Sequence, residues 1–295
     1  MGRGHAVPAE QAVSALTEEE IAKLPVLRID ASRPGLSLGL SELWAYRDVL
    51  YYLTHRDLLV RYKQTLIGAS WAIIQPVMTM VIFTIFFGKL AKIPSDGVPY
   101  PIFSMAALVP WSFFADGVLR GSQATVMHAE MIKKVYFPRL AMPLAPLLAR
   151  LVDMALAFCV LLCMMVYYGI NPGWNILWLP PLVVMAFVTS LGTALWLAAL
   201  NVQFRDVRMA APFMIQTWLF VTPIAYPSSM IDEKWHVLYA LNPMAGVVEG
   251  FRWALLGTDT QPGLMILVSS TMAVLLLVSG TYYFRKVERT FADIV

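Results

Sequence analysis

Charge is what this sequence lacks. Only 14% of its 295 residues are Asp, Glu, Lys or Arg, against roughly a quarter in a soluble domain. That is too little to coat a surface facing water. The net charge of +3 is small, and no basic face is clustered as a nucleic-acid partner would require. Cysteine is almost absent: Cys159 and Cys163 stand one helical turn apart inside one apolar run. They read as packing or lipid-facing residues, because no further metal ligands lie nearby. The four histidines, His5, His55, His128 and His236, are scattered. Nothing matches the phosphate-binding pattern G-x-x-x-x-G-K-[ST]. No catalytic residue and no metal site is assigned, and no cofactor is expected in this chain. An embedded acid of the kind proton-coupled transporters use is also missing; Asp116 and Asp153 come nearest, and both read as interfacial. The first forty residues have no apolar core of a leader peptide, so none is expected. The chain transports or scaffolds, with energy supplied elsewhere.

Apolar residues are what it has. They make up 59% of the chain, with a mean hydropathy of +0.65, and they come in runs of about 20, the length that crosses a hydrocarbon core of about 30 Å. Six spans are expected, over residues 67–87, 100–119, 141–168, 176–200, 211–226 and 263–284. The fifth is short and carries Pro212 and Pro223. Residues 227–261 read as two short helices, 235–241 and 245–256, turned by Asn242-Pro243. Neither is long enough to span, so a re-entrant or interfacial hairpin is expected.

Before the first span, Leu43, Tyr46, Leu50 and Leu53 recur at helical spacing. Residues 41–64 are too charged to span and read as an amphipathic helix lying in the membrane interface, with a bend near Thr54. Residues 1–40 hold Pro8, Pro25, Pro34 and Gly35, and at most one short helix with a capping box from Thr17 to Glu20. They read as a mobile cytoplasmic extension. Leaving Arg120 and Arg150 aside, twelve Lys and Arg flank one side of the spans and four the other. Both termini are therefore expected in the cytoplasm. Arg120, Arg150 and Asp153 fall at the cytoplasmic boundary. Arg150 and Asp153 are three apart and able to pair. The two arginines read either as interfacial anchors or as contacts for an anionic headgroup. The fold class is an all-α membrane protein, with the transmembrane domain over 65–290 and a short tail at 291–295.

One set of motifs goes further. The stretch from Arg56-Asp57-Leu58-Leu59-Val60-Arg61-Tyr62-Lys63 to Gly68, followed by Trp71 and Gln75-Pro76, resembles the opening of polysaccharide-export permeases of ATP-binding-cassette transporters. So do Val98-Pro99-Tyr100-Pro101, Lys134-Val135-Tyr136-Phe137-Pro138-Arg139, Asn201-Val202-Gln203-Phe204-Arg205-Asp206-Val207-Arg208 and Leu241-Asn242-Pro243-Met244. The resemblance covers roughly residues 41–290, in the order the topology needs. The family includes O-antigen, teichoic-acid and capsule exporters.

The resemblance implies a homodimer in the bacterial inner membrane. Beneath it dock two copies of a separate nucleotide-binding subunit, which bind ATP and Mg. The chain is then a permease, not an enzyme. ATPase coupling would fall to Glu130, Lys133, Lys134, Tyr136, Phe137, Arg139, Arg205, Asp206 and Arg208. The implied cargo is a glycan on a polyprenyl-pyrophosphate carrier. Arginine suits such an anion by bidentate hydrogen bonding, which points to Arg56 and Arg61 first, with Arg47, Lys63, Arg120 and Arg150. The bland alternative for these residues is attraction to anionic membrane lipid. Aromatic rings that stack on sugar faces would line the path, and the candidates are Trp71, Phe83, Phe86, Phe87, Trp111, Phe113, Phe114, Trp218 and Phe220. A permease for small molecules or drugs shares these features except the glycan-type motifs. A membrane-embedded glycosyl or lipid transferase would need a cluster of acids or histidines that the sequence does not contain.

Overall fold

A computed structural model describes residues 40–63, 70–134, 136–258 and 263–288, with the backbone alone at 40, 41, 129, 132, 133 and 233. The expected N-terminal extension with its capping box, the motif residues 64–69 and 135, Arg289 and the tail 291–295 lie outside the described residues. The described residues all fall within one unit, Leu38–Val295, and no strand occurs among them.

The chain enters through α1 (Leu40–Ala45) and α2 (Arg47–Lys63). The apolar stripe does its work here. Leu43, Tyr46, Leu50 and Leu53, joined by Val49, pack on Ala124, Phe137, Ala141, Met142 and Ala145. The expected bend at Thr54 does not occur. The Thr54 hydroxyl donates to the Leu50 carbonyl at 2.8 Å, and α2 has neither Pro nor Gly to break it. The interruption comes earlier, as a turn at Tyr46.

Among the described residues, five helices are long and apolar enough to cross a membrane. The first is α3 (Ser70–Phe83), prolonged by a π-helical turn over Thr84–Leu90. It is followed by α4 (Tyr100–Met127), a short α5 (Ala129–Lys134), and α6 (Ala141–Tyr168). A 3₁₀ turn, Trp174–Trp178, leads into α7 (Leu179–Gln203). The last is α11 (Gly263–Glu288). The second expected span stopped at Leu119, but α4 continues to Met127, because its last turns pack on α2 and α6 through Ala124. α8 (Val207–Val221) is short, as expected, at about 22 Å. It ends ahead of Tyr226 because Pro223 cannot continue it and pushes Thr222 into extended backbone.

The two short helices are present as α9 (Glu233–Ala240) and α10 (Pro243–Leu256). Asn242 turns between them: its Oδ1 accepts from the Met244 amide at 3.1 Å, and Pro243 occupies the first helical position.

Helix α4 is the central post, buried almost throughout from Ile102 to Val118 and packed on α6 and α7. α11 lies along α7. Outward-facing side chains such as Val166, Val184, Leu264, Leu267 and Leu275 are exposed. So broad an apolar exterior suits hydrocarbon as solvent and would be a liability in water.

Candidate functional site

Two adjoining residues at the end of α2 reach across to α6. Arg61 Nη1 and the Tyr62 hydroxyl both donate to the carboxylate of Asp153. Asp153 also pairs with Arg150 one turn before it, at 2.9 Å. The same Arg150 nitrogen pairs with Asp116 of α4 at 3.0 Å. Two cations and two carboxylates from three helices thus form one chain of ion pairs. It is sheltered: Arg150 is 5% exposed and Asp153 8%. Burial, then the neighbouring charge of Arg150, pulls the Arg61 guanidinium below its ordinary value. Burial first, then the hydrogen bond to Asp153, pushes the Tyr62 phenol up to about 12.

Arg61, Arg150, Asp116 and Asp153 line a narrow cleft of about 20 Å³ with Gln75, Pro76, Ser112 and Phe113. A second, more open cleft of about 210 Å³ lies between α4 and α8, lined by Trp111, Leu119, Pro212, Ile215, Gln216 and Leu219. Asp116 lines both. The charged cleft has room for about one water, so an oxyanion could reach its arginines only as the cleft widens; the apolar one has room for a chain with carbon-rich faces.

The sequence-chosen cations separate into groups. Arg61 and Arg150 meet in the cluster. Arg56 is half-buried and holds Asp57 at 3.0 Å and the His128 ring at 2.8 Å. Burial, then the Arg56 charge, lowers the basicity of His128. Arg47 is exposed, 3.9 Å from Asp48. Lys63 and Arg120 are exposed on α2 and α4.

Among the aromatic candidates, Phe83, Phe113 and Phe114 are core residues and Trp111 is 4% exposed. Phe114 stacks edge-on against Trp218 at 5.0 Å, whose Nε1 donates to Asn242. Phe87 packs edge-on to Phe83. Trp71, Phe86 and Phe220 are exposed. Of the nine, Phe113 lines the charged cleft and Trp111 the apolar one.

At the end of the bundle that carries α1, Tyr136 is exposed and donates to Glu42, which also pairs with Arg285 at 3.7 Å. Arg139 donates to the Glu288 carbonyl. Phe137 turns inward, buried with Leu53, so Tyr136 alone of that aromatic pair faces outward. Glu130 and Lys134 form an exposed pair at 3.8 Å, while the Lys133 side chain lies outside the described residues. Arg205, Asp206 and Phe204 are exposed in the turn before α8, and Arg208 is exposed on its first turn.

Sequence reasoning passed over Tyr62 and read Asp116 and Asp153 as interfacial acids, though the pairing of Asp153 with Arg150 was expected and is present. It also counted Arg252 as a surface cation. In fact Arg252 is 1% exposed. It pairs with Glu249 at 3.0 Å and donates to the carbonyls of Phe103, Pro223, Ile224 and Tyr226. Opposite charges three apart inside an apolar run were the available signal.

The profile of the family described as ABC-2 type transporter matches residues 48–256. Among curated proteins, the chain is 26% identical to the O-antigen export system permease protein RfbA of Myxococcus xanthus, over 85% of this chain and 97% of that one. It is 28% identical to the protein of the same name from Klebsiella pneumoniae, over 84% and 95%. It is 21% identical to the polysialic acid transport protein KpsM of Escherichia coli, over 79% and 91%.

Proposed function

This chain belongs to the ABC-2 type transporter family, and on that premise we propose that it is the permease subunit of an ATP-driven exporter of a polyprenyl-pyrophosphate-linked polysaccharide of the O-antigen kind. The observation that carries the reading is the pair of arginines, Arg61 and Arg150, gathered in a sheltered cleft beside an apolar groove. A carrier lipid presents a diphosphate joined to sugar. A pocket that holds two arginines next to a channel-like wall suits both halves.

The chain is a multi-pass membrane protein; we place it in the inner membrane with both termini cytoplasmic. A sixth crossing by α8 is supported by its neighbours. It begins just after Gln203 at the end of α7, and its far end meets the α9–α10 turn, where Asn242 bonds Trp218 and Thr222. α9 and α10 then form a re-entrant hairpin at the outer mouth, and α2 lies in the cytoplasmic interface. Two copies would enclose the path, each above a separate nucleotide-binding subunit that supplies ATP hydrolysis with Mg. That subunit would meet the exposed residues Glu130, Lys134, Tyr136, Arg205, Asp206 and Arg208, while Arg139 holds the loop in place. Relatives named for O-antigen export support the cargo.

Deleting the gene and measuring lipid-linked glycan on each side of the membrane tests this. Glycan trapped on the cytoplasmic face with the surface polymer lost is the expected result, and normal surface polymer refutes it. The double variant Arg61→Ala/Arg150→Ala should assemble with its ATPase yet export poorly.

A further inference from the structure

We propose that Asp116 is an internal competitor for the anion site: it occupies Arg150 at rest, leaves when a diphosphate enters, and returns to expel it. The inference rests on the diphosphate-carrier reading above.

The charge balance motivates it. At ion-pair distance Arg61 and Arg150 face Asp116 and Asp153, two against two, with Arg120 close enough to act on all four, so both arginines of the pocket are already engaged by acids. An anion can take Arg150 Nη1 only if one carboxylate gives way. The two acids are not equally fixed. Asp153 accepts from Arg61, Tyr62 and Arg150. Among the described residues Asp116 is held by Arg150 alone. Asp116 is also the more exposed, its side chain at 26% against 11% for Asp153.

Arg150 has capacity to spare. Both of its ion pairs use Nη1, and its buried Nε has no partner among the described residues. A guanidinium offers five N–H donors in a flat fork suited to two oxygens of one phosphate. A diphosphate taking that fork would meet groups already in place.

Asp116 has somewhere to go. It lines the α4–α8 cleft as well as the charged one. Displaced from Arg150, its carboxylate turns toward the groove that also presents Gln216. Arrival of the anion on one side of α4 then changes the polarity of the wall on the other. Asp153 stays behind to keep Arg61 aimed.

The test uses the full chain with its ATPase partner, purified into lipid nanodiscs. Two probes separate the sources of the diphosphate: polyprenyl diphosphate in the disc, and inorganic pyrophosphate in solution. Competition from a carboxylate lowers apparent affinity by the fraction of time the site is blocked. Asp116→Asn should therefore bind about tenfold tighter and release more slowly, with KM and kcat of probe-stimulated ATP hydrolysis falling together. Asp116→Ala should behave alike. Tightening in both arms assigns recognition to the diphosphate, and tightening in the lipid arm alone adds the prenyl chain to it. A merely structural role predicts weaker binding with a lower melting temperature. That result, or unchanged affinity in both variants while Arg150→Gln abolishes binding, overturns the competitor. Should Arg150→Gln bind both probes as the wild type does, the diphosphate reading itself fails.

Discussion

A guanidinium taken out of solvent is costly unless its donors are used. Arg252 meets that condition by pairing with Glu249 on its own helix and by tying α10 to the start of α4 at Phe103 and to the chain leaving α8 at Pro223, Ile224 and Tyr226. It also lies 3.6 Å over the Phe103 ring. Those carbonyls are there because α8 stops at Val221 and leaves backbone acceptors without helical partners. Arg252→Met should cost about 3–5 kcal/mol, since Glu249 would stay buried and unpaired. A thermal melt in detergent checks this, and an unchanged transition would mean that the clamp is dispensable. His128 offers a second test. Its basicity is lowered by burial and then by Arg56, so the folded protein resists protonating it. That part of the stability is complete above the ordinary histidine value near 6.5 and is lost as pH falls through the lower folded value. An NMR titration should place the ring below 6.5, and Arg56→Ala should move it upward. The residue scale is where sequence reasoning was weakest. A charge in an apolar run looks like a boundary marker, and only the fold shows that Asp116, from α4, meets Arg150 on α6.

Elements were far more legible. Hydrophobic length gave the five long helices and a short α8, and Asn242-Pro243 gave the α9–α10 turn because a capping side chain and a fixed φ act locally. The bend in α2 was misplaced, since a threonine can satisfy its hydroxyl within the helix. Close packing between elements was not legible at all. A Cβ on Gly280 of α11 would lie 2.5 Å from the Gly192 carbonyl of α7, and one on Gly192 would lie 2.6 Å from the Leu277 amide. The helices meet there backbone to backbone, as small residues allow in membranes. Gly280→Ala should therefore lower stability by about 1–3 kcal/mol. Gly173→Ala, where a Cβ would find open space, should leave the melt unchanged. Equal behaviour of the two would argue against a tight α7–α11 crossing.

At the scale of the whole molecule, the account describes a conduit with no motor of its own, driven from one face by a docked ATPase. The orientation we propose, with both termini cytoplasmic, rests on the Lys and Arg bias. A fluorescent-protein fusion at the C-terminus should glow, and an alkaline phosphatase fusion there should stay inactive. An active phosphatase would invert the topology. The end proposed to meet the ATPase is braced in this structure: Glu42 joins Tyr136 to Arg285, and Arg139 holds the end of α11 at Glu288. A push on that loop reaches α1 and α11 together. The most direct measurement is made on inverted inner-membrane vesicles loaded from outside with polyprenyl-pyrophosphate-linked glycan. With the chain and its ATPase present, added ATP should move the glycan into the lumen and protect it from an external glycosidase. Vesicles lacking the chain should give no protection. Equal protection in both would contradict the account.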